Sequence, residues 1–334
     1  MSLRPRHVLA ASLLSMLASA PALAEGASVR MALDWTPNTN HVGLYVAEAL
    51  GYYEEAGIDV EILPYTDTSA SLLVANGVAD FGILGGTSLF MLGTAGADLV
   101  ATFAVTQTET GRIVFNAHRE DIQRPADLDG KIYAGFGSQW EDILIGDIIR
   151  ADGGTGDYQT VTLGTSAYEA LANGAVDFTL EVYTWEGIKA ELDGVAQRRF
   201  RYDDFGVPDQ HTTLIGSSSA YLAANPETAR AFMAATLRGY RFAADNPDAA
   251  AELLVAATDG MLSDPELVKA SMRALAEDHY LRSPEGAIGV MDPDKMAATM
   301  DYMFERDMLR DADGQVVGER PDPTAFYTNA FVAP

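Results

Sequence analysis

Short apolar runs and amphipathic runs follow one another along most of the chain, the pattern of an α/β protein. Val29 to Leu33 reads as a strand and Val42 to Leu50 as a helix with one apolar face. Between them, Asp34-Trp35-Thr36-Pro37-Asn38-Thr39-Asn40-His41 crowds polar and aromatic groups into one strand-to-helix turn. In an open α/β sheet such a turn lies at the carboxyl end of a strand, where ligands bind and the next helix offers unpaired N–H groups. The turn therefore reads as part of a binding site.

The pattern is duplicated. Thr68-Ser69-Ala70, Ala75-Asn76-Gly77 and Asp80-Phe81 return 97 residues later as Thr165-Ser166-Ala167, Ala172-Asn173-Gly174 and Asp177-Phe178. Each copy reads as a helix opened by Ser or Thr, closed at Asn-Gly by a left-handed C-cap, and followed by a short strand. Ser166 and Glu169 have the spacing of a capping box. Upstream, Met31 to Leu33 corresponds roughly to Lys131 to Ala134, and both are followed by a tryptophan-bearing turn. In the second of these, Gly135 to Glu141, Ser138 and Glu141 predict a helix start, with the helix running to Ile149 and ending by Gly153-Gly154.

Leu99 to Ala104 and Ile113 to Ala117 read as strands, and Pro125 to Lys131 as a short helical turn feeding the next strand. Arg199 to Tyr202 leads to Thr212 to Ser217, a strand returning to the first half. Helices are predicted over Pro226–Asn246, Pro247–Ala257, Pro265–Ala276 and near Pro293–Met308, the first opening at Asn225. The expected organisation is lobe 1 from residues 28–117 plus 212–334 and lobe 2 from 118–211, two α/β lobes joined by a hinge of two chain crossings.

Composition narrows the class. Arg4, Arg6 and His7, the apolar run Val8 to Ala18 and Ala22-Leu23-Ala24 form a secretory signal over residues 1–24, with cleavage expected after Ala24. No later run approaches the roughly 18 to 20 apolar residues of a spanning helix, so the mature chain is expected to be exported without inserting into a membrane. Cysteine is absent, which removes disulfides, thiolate metal sites and a cysteine nucleophile. Without Arg4 and Arg6 the mature chain has 20 basic against 48 acidic side chains, a net charge of −28 that argues against nucleic acid as a partner. The five histidines form no metal-spaced pair, and neither a calcium loop nor a Gly-x-Ser-x-Gly elbow occurs. No catalytic residue, metal or cofactor is expected.

The candidate contacts lie in the turns. Trp35, Trp140 and Trp185 all fall just beyond predicted strand ends, which favours an aromatic clamp for a flat ligand over three separate core positions. Asn38 is either a ligand contact or a turn residue fixed by Pro37, Asn40 reads as a helix cap, and His41 is either a contact or a structural histidine. After their shared Asp-Phe the two copies diverge, one into Gly85-Gly86-Thr87-Ser88, the other into Glu181-Val182-Tyr183-Thr184-Trp185-Glu186. Gly86 allows close backbone approach, and Thr87 or Ser88 either bonds a ligand or caps a helix. Glu181 ends a strand that ought to be buried, so it requires a donor, an arginine or an amino-bearing ligand, with the ligand preferred. Glu186 also pairs in spacing with Lys189, and Tyr183 and Tyr45 are further candidate lining residues.

At this point the chain resembles the solute-binding proteins of ABC importers, and within them the group holding the pyrimidine-precursor binders of thiamin salvage and the related fungal thiamin-pyrimidine synthases. The resemblance is carried by Leu33-Asp34-Trp35-Thr36-Pro37-Asn38-Thr39-Asn40-His41 through Gly51-Tyr52-Tyr53, by Gly77-Val78-Ala79-Asp80-Phe81-Gly82, by Leu128-Asp129-Gly130-Lys131 and by Trp185-Glu186-Gly187-Ile188. It implies a two-lobed type II periplasmic-binding-protein fold of doubly wound sheets. It further implies a monomeric periplasmic receptor that closes on formylaminopyrimidine or hydroxymethylpyrimidine and docks to an ABC permease. Trp35, Asn38, His41, Glu181, Trp185 and Glu186 occupy the motif positions, and Gly86, Thr87, Ser138, Trp140 and Tyr183 complete the expected lining. Riboflavin, a sulfonate such as taurine, or nitrate are alternative ligands, although anions would prefer a cationic cleft. The synthases use a lysine, a histidine and a cysteine cluster where this chain has Leu84, Ser88 and Gly216-Ser217-Ser218-Ser219, which disfavours an enzyme.

Overall fold

The computed structural model describes residues 26–332, so the signal expected over residues 1–24 lies outside the described residues. Strand β1 (Ala27–Ala32) enters the polar turn and helix α1 (Val42–Ala49) leaves it. Helix α2 (Tyr52–Glu55), strand β2 (Ile58–Leu63), helix α3 (Ala70–Ala75), strand β3 (Phe81–Gly85), helix α4 (Gly86–Thr94) and strand β4 (Val100–Ala104) follow. The next stretch holds β5 (Gly111–Asn116), β6 (Ile132–Gly135), α5 (Gln139–Ala151), β7 (Gln159–Thr162), α6 (Ala167–Ala172), β8 (Phe178–Val182), α7 (Ile188–Leu192) and β9 (Gln197–Arg201). The chain ends with β10 (Thr213–Ser217), α8 (Ser219–Ala224), α9 (Pro226–Asp245), α10 (Pro247–Ala257), α11 (Pro265–Glu277) and α12 (Pro293–Glu305).

The duplicated pattern folds as the same unit twice: α3 and β3, then α6 and β8. Gly77 and Gly174 close the two helices at φ 69° and 76°, a conformation that glycine adopts without a Cβ clash. The openings differ. The Ser69 hydroxyl accepts the Leu72 N–H at 3.3 Å, whereas Ser166 makes no side-chain cap. Residues Gly164–Ser166 already form a 3-10 turn, which holds Ser166 at helical φ and ψ and removes the expected capping box.

Two five-stranded sheets result, in the orders β2-β1-β3-β10-β4 and β7-β6-β8-β5-β9. Four strands of each point the same way, while β10 and β5 run antiparallel to both their neighbours. Residues 105–110 and 202–212 are the two crossings between sheets. The expected boundary at 117/118 is therefore displaced. Ile113, Val114 and Phe115 pair with β8 and β9, so the strand assigned to lobe 1 belongs to lobe 2. Its apolar sequence marked a strand without naming its partners, which lie more than 60 residues away.

Both faces of each sheet are covered. Along β3, Phe81 and Ile83 pack on one side with α1 and α9 residues Val46, Phe232 and Tyr240, while Leu84 packs on the other with Leu89, Met300 and Met303. In the second sheet Ile113 and Phe115 face Leu144, Ile145 and Ile148 of α5, and Val114 faces Leu171 of α6. Among the described residues no helix is long and apolar enough to cross a membrane.

Candidate functional site

The opening turn is held by its own side chains. Asn38 caps the short 3-10 turn Thr39–His41: its Oδ1 accepts the Asn40 N–H at 2.9 Å, and its Nδ2 donates to the Thr36 carbonyl at 3.1 Å. His41 is fully buried, its Nδ1 accepting the Asn38 N–H at 3.3 Å and its Nε2 lying 2.8 Å from the Asp34 carboxylate. With Nδ1 used as an acceptor, the proton sits on Nε2 and donates to Asp34. His41 is thus a brace inside the turn rather than a cleft contact. The roles of the two asparagines are also exchanged: Asn38 is the cap, and Asn40 is free of capping.

Between the lobes lies a chamber of about 360 Å³, contiguous through Asp34, Asn40, Phe136, Tyr168 and Val182 with an outer chamber of similar volume. Gly85, Gly86 and Thr87 line the inner chamber from lobe 1, Glu109 and Gln210 from the crossings, and Tyr133, Trp140, Glu141, Tyr168 and Glu181 from lobe 2. Trp35, Asn38, Trp185 and Glu186 line the outer one. Gly86 carries no side chain for a reason other than ligand approach. A Cβ there would lie 2.3 Å from the His211 carbonyl oxygen, so the returning chain passes against it.

Besides the braced His41 and the core residue Tyr45, two expected contacts fall outside both chambers. Ser138 is exposed at the N-cap of α5, where its hydroxyl accepts the Glu141 N–H at 3.2 Å. The Glu141 carboxylate returns the bond to the Ser138 N–H at 2.9 Å and takes that of Phe136 at 3.1 Å, so Glu141 lines the cleft instead. Tyr183 opens the single π-turn Tyr183–Gly187, which rotates its ring away from the cleft and beneath Arg112 and Arg199, 5.9 and 5.3 Å from the centroid. Trp35 and Trp185 share the outer chamber and Trp140 lines the inner one, so the three indoles do not form one clamp. Trp140 also sets its edge against Tyr302 of α12, centroids 6.0 Å apart, and so joins the lobes.

Glu181 has its donor within the protein. Arg199 Nε reaches its carboxylate from the far side of β5, in a pair whose Glu181 side chain is 2% exposed. Burial pushes the Glu181 pKa up and the Arg199 charge pulls it back. The expected ligand partner is therefore an arginine, because β9 lies two strands from β8 on the same face. Glu186 does not pair with Lys189, which binds Asp193 at 2.5 Å. Instead its Oε2 accepts the Val182 N–H at 3.2 Å, and burial pushes its pKa up to about 7. Glu109, 3% exposed, accepts the Gly111 N–H at 2.6 Å and the Gln210 Nε2 at 2.8 Å, and burial raises its pKa as well. Glu109, Gln210 and Tyr168 were not readable as site residues: the crossings carry no periodicity, and Tyr168 sits on an ordinary helix face.

Among the described residues no Lys, Arg or His lines either chamber, whereas Asp34, Glu109, Glu141, Glu181 and Glu186 do, among the rings of Trp35, Tyr133, Phe136, Trp140, Tyr168, Trp185 and Tyr202. Such a cleft accepts a flat ligand rich in N–H donors and repels an anion.

The chain is 27% identical over 291 residues to the formylaminopyrimidine-binding protein of Halalkalibacterium halodurans, covering 84% of this chain and 86% of that one. It is 26% identical to a 4-amino-5-hydroxymethyl-2-methylpyrimidine phosphate synthase of Schizosaccharomyces pombe, over 60% and 61% of the two chains. The structure superimposes on the alkanesulfonate-binding protein of Xanthomonas axonopodis with a TM-score of 0.64 at 18% identity, over 86% of this chain and 96% of the other. The fold is that of the periplasmic binding proteins. Residues 38–250 match the model of the family described as NMT1/THI5 like, and the chain belongs to that family.

Proposed function

We propose that this protein is the solute-binding receptor of an ABC importer and that it carries a thiamin pyrimidine precursor, formylaminopyrimidine or hydroxymethylpyrimidine, in the inter-lobe cleft. The observation that carries this reading is the cleft lining: five carboxylates and seven aromatic rings with, among the described residues, no cationic side chain. A 4-aminopyrimidine presents an amidine-like edge that pairs with a carboxyl group while its ring stacks on aromatic faces. The relative from Halalkalibacterium halodurans, named for binding formylaminopyrimidine, supports the same ligand class.

The same lining disfavours sulfonate and nitrate, which need cationic or N–H-rich surroundings. A pyrimidine-synthesising enzyme is disfavoured too, since Leu84 is a buried core residue of β3 and Ser88 lies on α4 where the synthases carry lysine and histidine. In this reading the protein acts in the periplasm as a monomer, closing through its two crossings as the ligand bridges both lobes and then docking to a permease.

Thermal-shift and calorimetric titration with aminopyrimidines, riboflavin, taurine and nitrate tests the reading. A ligand at 100 times its dissociation constant stabilises by about 2.7 kcal/mol. Stabilisation by an aminopyrimidine alone is expected; a response only to an anion or to riboflavin overturns the ligand, and conversion of the ligand to a product overturns the receptor.

A further inference from the structure

We propose that Asn40 Oδ1 and Gln210 Oε1 are the acceptors that read the ligand, with the Tyr133 hydroxyl as third polar contact, so that the inner chamber selects a flat ring carrying at least two N–H donors. This deepens the receptor reading above and rests on it.

Among the described residues, four buried side-chain polar atoms have no hydrogen-bond partner: Asn40 Oδ1, Tyr133 Oη, Gln210 Oε1 and Arg198 Nε. Three of the four belong to residues lining the inner chamber. Buried polar groups are nearly always paired, and a cluster of exceptions in one cavity has the character of a recognition surface.

Each of the three is held in place by its surroundings. The Asn40 backbone is fixed on both sides, its N–H donating to Asn38 Oδ1 at 2.9 Å and its carbonyl accepting from the Tyr240 hydroxyl at 2.6 Å. Its amide is thereby left out of the cap and beside the cleft. Gln210 is 5% exposed, and its Nε2 donates to Glu109 Oε2 at 2.8 Å. That bond orients the amide and leaves Oε1 as the unpaired acceptor. Tyr133 is fully buried, its hydroxyl facing the Glu141 carboxylate without a hydrogen bond in place and so close to Gly135 that a Cβ there would lie 1.9 Å away.

The three come from different parts of the molecule: Asn40 from lobe 1, Gln210 from the returning crossing and Tyr133 from lobe 2. A ligand that satisfies all of them ties the lobes to the hinge. Two amide oxygens accept only, so the ligand must donate twice, whereas the phenol can donate to a ring nitrogen or accept a further N–H. A formylaminopyrimidine, with an exocyclic amine and a formamide N–H, has this donor count. A 4-oxo analogue turns an acceptor toward these oxygens.

Calorimetry with formylaminopyrimidine and its 4-oxo analogue, together with melting of the ligand-free protein, tests the assignment. Asn40→Leu is expected to weaken the amino ligand by about tenfold or more, with an unchanged or higher melting temperature in the absence of ligand. Asn40→Asp, which keeps an oxygen, retains binding. Gln210→Met also removes a donor to Glu109, so its readout is the amino-over-oxo preference, expected to narrow by about tenfold. Wild-type affinity in Asn40→Leu, or an unaltered preference in Gln210→Met, overturns the acceptor assignment while leaving the receptor intact. Failure of the wild-type protein to bind any pyrimidine overturns the receptor reading and this assignment with it.

Discussion

Asn38 Oδ1 accepts the backbone N–H of Asn40 at 2.9 Å, and this one bond decides which of two neighbouring asparagines is spent on the fold. Asn38→Ala is expected to lower stability by about 1 kcal/mol in chemical denaturation, with Asn38→Asp close to wild type because it preserves the acceptor.

The Glu181–Arg199 pair should behave as a buried ion pair. Arg199→Met leaves a carboxylate without its cation and is expected to destabilise by about 3–5 kcal/mol in urea melts. Adding Glu181→Leu should recover most of that loss, since an apolar pair needs no compensation. A single variant as stable as wild type would show that the carboxylate has another donor.

Stability should fall with pH because of Glu186. The folded carboxyl keeps its proton up to about pH 7, whereas its ordinary value is 4.5. Between those values the folded state binds more protons than the unfolded one, so stability is highest at the acidic end and declines as pH rises. Glu186→Gln removes this contribution, and its denaturation midpoint should show a shallower decline from about pH 5 to about pH 8 than that of the wild type.

Gly86→Ala should be destabilising by about 1–3 kcal/mol, because the new methyl meets the His211 backbone oxygen and not a flexible side chain. Circular dichroism melts of this variant beside Gly174→Ala separate the two causes. The latter has open space around it and is strained only by its φ of 76°.

What the chain reveals by itself is what short-range chemistry determines. The four C-terminal helices begin at Pro226, Pro247, Pro265 and Pro293 as expected, since proline at the first position and a polar residue before it leave little choice. Likewise the Asn-Gly closures of the duplicated unit follow from local backbone preference. Some differences involve partners distant in sequence, while those at Asn38, His41, Ser166 and Tyr183 come from local turn geometry. Glu181 gains its donor only where β9 brings Arg199 alongside, and β5 belongs to lobe 2 through its hydrogen bonds to β8 and β9. Glu109 and Gln210 meet only because two crossings run side by side, 101 positions apart in the chain. Ser138 was correctly read as a cap by spacing, yet capping itself turns the hydroxyl away from the cleft.

Strand β10 has a consequence for the order of assembly. It fills the gap between β3 and β4, bonding to both, yet it is synthesised after the whole of β5 to β9. Until Thr213 to Ser217 arrive, β3 and β4 have no common partner and each presents an open edge. The lobe that starts the chain therefore finishes last, while the intervening lobe already contains every strand of its own sheet. Folding should proceed from the middle outward, with closure of the first sheet as the late, long-range step that sets the rate.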